Sequence, residues 1–542
     1  MNAHRLLIPA LLCTWTALEG VSPAQTAQTL VPRVRLHKIA LSGELAPGAG
    51  TPFVHFDTPF GFADTTAPTL DADGNAGLYA AVVDPLDSGN ETTGLWKEEL
   101  GVLSLIALRG DPVPGSGDEF VAFPHVYFEH APRIVSGSVS FLASTTANDM
   151  ELWTDRLGIL ERIVRHGDPL PGGPQGETFY FPTGALFADG SVLVDSRWST
   201  WRGDEGMWRD RAGTLELLIR AGSPAPGLQD AVFQDSDSLH LQGPFDQRDT
   251  DSLGRIAFNG TVGGPQVDRT NDEGIWLESE AGGFELLVAE GDPAPQVHSG
   301  FRFGYRHGTR AFGGGEQVGL RLNERGTILF GAGVHGNGHD YVRTLWRRLP
   351  EGTLELIAAA EEPWSGFPGT EQPGTGSPFI SFREHASINA ADRVAFQDVI
   401  PHPLNTPYNR ETAIFWDQPG ELSLLVATET WIPGLLPGEL IDSLNLLELL
   451  DDGSLYASAE LKNGPRGPER ALLLFEPDGT PSVAIREGGQ VDVAGDGSDR
   501  RTVSELRIGG IDRLARVGLL LVFTDDSSGA FRLRVMLRKL PR

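Results

Sequence analysis

The chain is poor in three things that would have pointed to a function. It has one cysteine, Cys13, in 542 residues. That residue lies in the N-terminal apolar segment, so the remainder can form no disulfide and offers no thiol nucleophile. Basic residues are also scarce: 43 Lys and Arg face 73 Asp and Glu, a formal net charge of -30. This balance excludes a nucleic-acid partner, because phosphate neutralisation needs the opposite sign. It suits cations and neutral or basic partners. Finally, the chain lacks a GxSxG elbow, an HExxH pair, a phosphate-cradling glycine loop leading into a helix, and sialidase-type Asp boxes.

Glycine and proline are plentiful, with 67 and 38 residues, and the regular apolar runs between them exclude a disordered chain. Residues 1–24 read as a secretory signal peptide. His4 and Arg5 start it, Leu6 to Leu18 is its apolar core, and Ser22-Pro23-Ala24 offers small residues for cleavage, with Ala27 as a second place. The core is too short for a membrane span, and no such span follows it. Cys13 is preceded by Leu12, where a lipoprotein cysteine needs a small residue. The expected destination is the periplasm, the cell surface or the medium.

From about residue 33 to 542 the chain reads as one domain of repeats. The pattern is clearest in Glu273–Gln296, EGIWLESEAGGFELLVAEGDPAPQ. Here an apolar run with a tryptophan, a glycine turn and a second apolar run make a hairpin, and paired prolines remove the donors needed to continue it. Eight glycine-type turns precede apolar strands, from Asp73-Gly74 to Asp452-Gly453 and Val517-Gly518. Trp96, Trp153, Trp208, Trp276, Trp346 and Trp416 recur at spacings of 55 to 70, with Phe475 and Leu533 in the corresponding places of the last two units. Proline stops such as Gly110–Gly115 and Gly167–Gly172 are each followed by a further aromatic strand.

Four short strands in about sixty residues describe a β-propeller blade. The last unit lacks a fourth strand, whereas Val34–Gly50 precedes any complete unit. Pairing the two ends in one blade removes the exposed edges. The expected fold is therefore all-β: an eight-bladed propeller of four-stranded blades closed by its N- and C-terminal strands, with seven blades as the near alternative. Parallel β-helix repeats are much shorter.

Asn323–Phe330, Asp251–Phe258 and Asn389–Phe396, together with the GIW and GDPxPG elements, resemble the bacterial exported tandem-repeat family with NxxGxxAF repeats. The resemblance covers nearly the whole chain after the signal segment and is weakest in the last two units. It implies a propeller-like, exported or surface protein and supplies no catalytic residue. Members often carry a C-terminal sorting anchor, whereas this sequence ends LRKLPR after Met536.

The candidate site residues fall into two groups. Glu129-His130 and Glu384-His385 share one repeat register in units two and six, opposite each other in an eight-membered ring. If the first strand of each blade lines the channel, these Glu/His pairs approach it from both sides and offer acid–base chemistry; tolerated polar positions are the plainer reading. His298–Arg310, the one basic aromatic stretch, places Arg302, Tyr305, Arg306 and His307 where an anionic sugar or a carboxylate would dock; local charge pairing is its plainer reading. The repeated tryptophans are expected as core, while Trp198, Trp201, Trp364 and Trp431 fall outside the repeat position and suit sugar stacking. Asp71–Asn75 begins like a calcium loop, but Ala76 and Val82 stand where the glycine and glutamate are needed, so a turn explains it better. No cofactor is expected, calcium being the one candidate. His335 and His339 have zinc-ligand spacing but sit around Gly336-Asn337-Gly338. Three functions remain: a binding module for a polysaccharide or surface protein, a carbohydrate-active hydrolase or lyase, and a structural envelope component.

Overall fold

The hairpins written into the repeats assemble into sheets whose membership is fixed by the proline stops. The computed structural model describes residues 34–535 except 57–66, 85–89, 124–131, 148–149, 174, 181, 197–205, 235–247, 252, 281, 298–299, 305–310, 313–318, 337–338, 361–380, 402–409, 419–420, 465–466 and 512–515. These residues form eight sheets, every pairing antiparallel, and no α-helix. The inner strands follow one another around an axis. Thr69–Leu70 neighbours Arg133–Val135, which neighbours Pro182–Leu186; Arg248–Thr250, Arg321–Leu322, Ser381–Ile388 and Leu440–Leu449 continue the circle. Numbering the blades in this order from Thr69–Leu70 in blade 1, Arg500–Ile511 of blade 8 meets Thr69–Leu70 again and closes the circle.

The closing blade has the expected composition. Val34–Leu41 pairs with Ser528–Val535, with Val34 opposite Val535 and Leu41 opposite Gly529. The N-terminal strand is thus the outer strand of blade 8.

Each stop carries the chain from the outer strand of one blade to the inner strand of the next. Asp111 and Asp292 accept from the amides of Leu108 and Ala289 at 2.8 and 2.9 Å, which ends the outer strand. The amides of Gly110, Gly167, Gly222 and Gly291 then donate to the carbonyls of Phe120, Phe179, Phe233 and Phe303, each at 2.8 Å. Those phenylalanines meet the repeat tryptophans edge-on. The Phe53–Trp96, Phe179–Trp208, Phe233–Trp276 and Phe303–Trp346 centroids lie 5.1, 4.9, 4.8 and 5.1 Å apart, at 66–68°. Such pairs contribute about 0.5–1.5 kcal/mol beyond their buried area. Indole N–H groups of Trp96, Trp208 and Trp276 donate to Pro47, Pro171 and Pro226 carbonyls at 2.9–3.0 Å, pinning the connector through which the chain entered the blade. Tryptophan is core, as expected, and the glycine of GIW has a reason. A Cβ at Gly94, Gly206 or Gly274 would lie 2.7 Å from the indole two residues on.

The last three units correct the expected register. The third strand slips by one residue just before each tryptophan slot, between Leu95 and Trp96 and between Ile275 and Trp276. In blade 6 the slip falls between Ile414 and Phe415, and in blade 7 between Leu472 and Leu473. Phe415 and Leu473 therefore occupy the slots assigned to Trp416 and Phe475. Trp416 faces onward into the blade 7 core instead, under the Arg393 guanidinium at 5.1 Å. In blade 8 the slot holds Phe531 and not Leu533, since a Cβ at Gly529 would meet the Phe531 ring at 2.8 Å. Val517-Gly518 is likewise no turn: it lies inside Arg516–Phe523, where a Cβ at Gly518 would collide with the Pro68 carbonyl.

The NxxG segment is an inter-blade latch. Asn323 Oδ1 accepts from the amides of Arg325 and Thr327 at 3.0 and 2.9 Å, while its Nδ2 donates to Asn389 O of the next blade at 2.8 Å. Asn389 repeats this one blade on, donating to Leu450 O at 2.9 Å. Asp392 replaces the turn glycine at φ 62, a conformation Asp tolerates better than most residues. Asp71 holds the amides of Asp73 and Asn75 with one oxygen and Gly137 N of blade 2 with the other, so its carboxylate is engaged by the turn. The residue after the tryptophan slot adds an ion pair to the following blade: Lys97–Asp155, Arg209–Glu278 and Arg347–Asp417 at 2.5, 2.7 and 2.9 Å. Arg532–Glu98, at 2.9 Å, does the same across the closure and confirms Phe531 as the slot residue.

Candidate functional site

The inner strands end in these latched turns, and the residue two places before each turn holds the same place in each blade. The turn frame is the same in six blades: the amides of Asp71, Phe187, Asp251, Asn323, Asn389 and Leu450 donate to the carbonyl four residues on at 2.8–3.2 Å. Counting back two gives Thr69, Ala185, Asp249, Arg321, Ser387 and Glu448. Blade 2, with a tighter hairpin pairing Val135 and Ser138, supplies Arg133. One backbone position thus presents a different side chain in nearly every blade.

All of these but Thr69 line two adjoining cavities. The larger, about 290 Å³, is bounded by Asp249, Arg321, Ser387, Glu448 and the turn residues Asn323 and Asn389. The smaller, about 120 Å³, is bounded by Arg133, Thr183, Asp195 and Asp249. Asp249 and Thr250 line both.

Neighbouring blades hold the ring rigid. Leu322 N donates to Asp249 Oδ2 at 2.7 Å, and Leu449 N donates to Ser387 Oγ at 3.1 Å. Ser387 Oγ donates to Glu448 Oε1 at 2.8 Å. Arg321 Nε and Nη1 donate to the carbonyls of Ala386 and Leu320 at 3.1 and 3.0 Å, so the guanidinium is fixed with N–H groups to spare. Burial raises the Asp249 carboxyl above its usual range; the Leu322 amide and the charges of Arg321 and Arg133 offset this only in part.

A second titratable group lies at the stop after blade 4. Glu290 is buried, its Oε2 accepts from Asp272 N at 3.1 Å, and its pKa is pushed up to about 9 by burial, by the bond to Asp272 and by the neighbouring Glu273 charge. Asp272 is raised by burial as well, so the two carboxyls hold a proton between them at neutral pH. A Cβ at Gly304 would lie 2.8 Å from Glu290 Oε1 and 3.3 Å from His335 Nε2.

Of the residues expected from sequence, Glu384 and His385 do fall on an inner strand, inside an irregularity between Phe382 and Ala386. His385 is half-buried. Glu129 and His130 lie outside the described residues, as do Tyr305, Arg306 and His307. Arg302 is exposed and donates to Gly291 O at 2.6 Å, an engagement with the proline stop. His335 sits on the strand Ile328–Gly336 and His339 opens its hairpin partner. Among the described residues, no three His, Asp or Glu side chains are placed to hold a metal ion. Trp431 is 52% exposed; Trp198, Trp201 and Trp364 lie outside the described residues. The sequence reading missed the ring residues. Their signal was available: a position two before each NxxG turn that refuses to repeat.

Eight four-stranded blades, a terminal-strand closure and a polar axial channel define a β-propeller. Its sequence profile places the chain within a known group: it belongs to the family of unknown function DUF7453, matched over residues 21–203, 198–307 and 250–518. The comparison with curated proteins gives no match. Among solved structures the chain is similar to the polysaccharide lyase Uly1, with 10% identity over 83% of this chain and 100% of that one and a TM-score of 0.38. It is similar to an ulvan lyase of polysaccharide lyase family PL25, with 10% identity, coverage of 91% and 95% and a TM-score of 0.31. The β-propeller domain of the Trilobed protease from Pyrococcus furiosus matches with 12% identity, coverage of 68% and 97% and a TM-score of 0.24. Among the described residues no helix is long and apolar enough to cross a membrane.

Proposed function

We propose that this is an exported binding module that holds a polysaccharide or a surface protein at its channel and the adjoining loops. One observation carries the reading: the repeated residues are engaged in the frame, while the ring position varies freely on the same backbone. Selection for a frame alone has no use for that variety; a ligand does. Interruptions of the inner strand point the same way. In blades 1, 2, 4 and 5 the strand is split into two pieces, for example Phe53–His55 and Thr69–Leu70, with non-repetitive sequence between them. Export rests on residues 1–24 and on the likeness to exported bacterial NxxGxxAF repeats.

A second reading, a carbohydrate-active hydrolase or lyase, is favoured by one feature, the Asp249 carboxyl held towards its protonated form in the channel. Both readings meet in one experiment. The exported chain, expected to begin near residue 25, is passed over neutral and acidic polysaccharides and scored for retention and for released reducing ends, with and without calcium. Retention without release is the expected result. Release would overturn the binding reading, and Glu129→Gln, Glu384→Gln and Asp249→Asn would then locate the chemistry.

A further inference from the structure

The ring departs from the charge of the molecule around it. The chain carries 73 acidic against 43 basic residues. At the ring the count is even: Arg133 and Arg321 stand against Asp249 and Glu448. The cavity walls add Asp451 and Asp195, so Arg321 is a cation set among carboxylates.

Arg321 is the best-built part of this ring. Two of its five N–H groups are bonded to Ala386 O and Leu320 O, which fixes the plane of the guanidinium. The group borders the 290 Å³ cavity, whose wall also offers Ser387 and the turn residues Asn323 and Asn389. A planar, immobilised guanidinium matches a carboxylate with paired hydrogen bonds, a geometry that an ammonium cannot supply. Ser387, Asn323 and Asn389 around it are engaged in bonds of the turns and between blades, so the guanidinium carries the recognition. The volume lies at the lower end of the range for small-ligand pockets, enough for a single small unit.

Resting on the reading that the channel binds a glycan, we infer that it takes a carboxylate-bearing sugar unit, a uronic acid, with Arg321 as the carboxylate anchor and Asp249 facing the same unit across the cavity.

The test is calorimetric titration of the exported chain with oligogalacturonate and oligoglucuronate, each beside its neutral galactose or glucose oligomer. The acidic oligomers are expected to bind at least about tenfold tighter, a difference of one decade in Kd. Arg321→Ala should abolish that preference, and Arg321→Lys should restore only part of it, with melting temperatures tracked to confirm folding. Asp249→Asn keeps the acceptor for Leu322 N and cannot ionise, so acidic binding, which should weaken in the parent as rising pH ionises Asp249, should stay level with pH in the variant. It therefore tests the assignment even if the Arg321 variants misfold. Leu424→Ala, at an exposed residue on the outer strand Glu421–Ala427, should leave binding unchanged. Equal binding of neutral oligomers, or a preference that survives Arg321→Ala, would overturn the uronate assignment and leave the binding reading standing. Silence towards every oligomer would overturn the glycan reading itself.

Discussion

The frame between the blades and the ring around the channel are built on the same repeat yet obey opposite rules. At the frame, one chemical solution recurs: an aromatic side chain under a proline carbonyl, an Asn or Asp locking a turn, a cation reaching the next blade. At the ring, the position two residues before each turn holds Thr, Arg, Ala, Asp, Arg, Ser and Glu. The backbone at both places is equally regular and both make bonds between blades, so the contrast lies in which side chain each blade supplies. Frame residues repeat because each interface poses the same packing problem. Ring residues differ, and all but Thr69 border the two cavities.

This contrast can be broken by mutation. The largest effect should come from Trp276→Ala, which removes a buried indole, its edge-on contact with Phe233 and its bond to Pro226 O. A loss of about 3–5 kcal/mol is expected in denaturant unfolding. A loss below about 1 kcal/mol, the level of an ordinary exposed change, would show that the indole is not part of the frame. Asn323→Ala comes next. It leaves the Arg325 and Thr327 amides without their acceptor and frees Asn389 O, at a cost of about 1–3 kcal/mol. Asn323→Asp keeps the acceptor and loses the donor, so it should recover part of the loss.

Glu290→Gln tests the stop after blade 4 through pH. The folded carboxyl has its pKa raised to about 9 from an ordinary value of 4.5, so the folded state keeps a proton that the unfolded chain releases. That contribution is whole below pH 4.5 and is lost steadily as pH rises towards 9. Glutamine cannot ionise. The variant should therefore gain roughly 1–2 kcal/mol over the parent at pH 8 and little at pH 4, read as melting temperature across that range. Identical pH profiles would refute the shared proton. Ser387→Ala, in the ring, leaves Leu449 N without its acceptor and should cost about 1–2 kcal/mol with the blades intact. A loss as large as that of Trp276→Ala would make the ring part of the frame.

Much of the frame was legible in the chain itself. Turn glycines, Trp spacing and proline stops imply eight four-stranded units, and the orphan strand at Val34 implies the closure. The register of the last units was not legible, because Phe415, Leu473 and Phe531 fill a slot where only the one-residue slip of the third strand identifies them. Trp416 misled because it is the larger aromatic, although the slip places Phe415 in the slot. The ring was hidden for a different reason. Repeat searches reward sameness, and Asp249, Arg321 and Ser387 are informative by being unlike one another. Glu384 and His385 were found on an inner strand because a paired motif repeated by chance of register, whereas the cavity wall is drawn from the residues just after them.

The pairing of Val34 with Val535 has a consequence for how the molecule is made. Among the described strands, the first synthesised is the last to find its partner. At translation rates of about 5–20 residues per second, it waits roughly half a minute to two minutes for the other half of its blade. Until then both edges are open templates for the wrong neighbour. Once docked, the strand links the beginning of the chain to its end. Opening the ring then requires giving up the most non-local strand pairing among the described residues, so closure is slow to form and slow to undo.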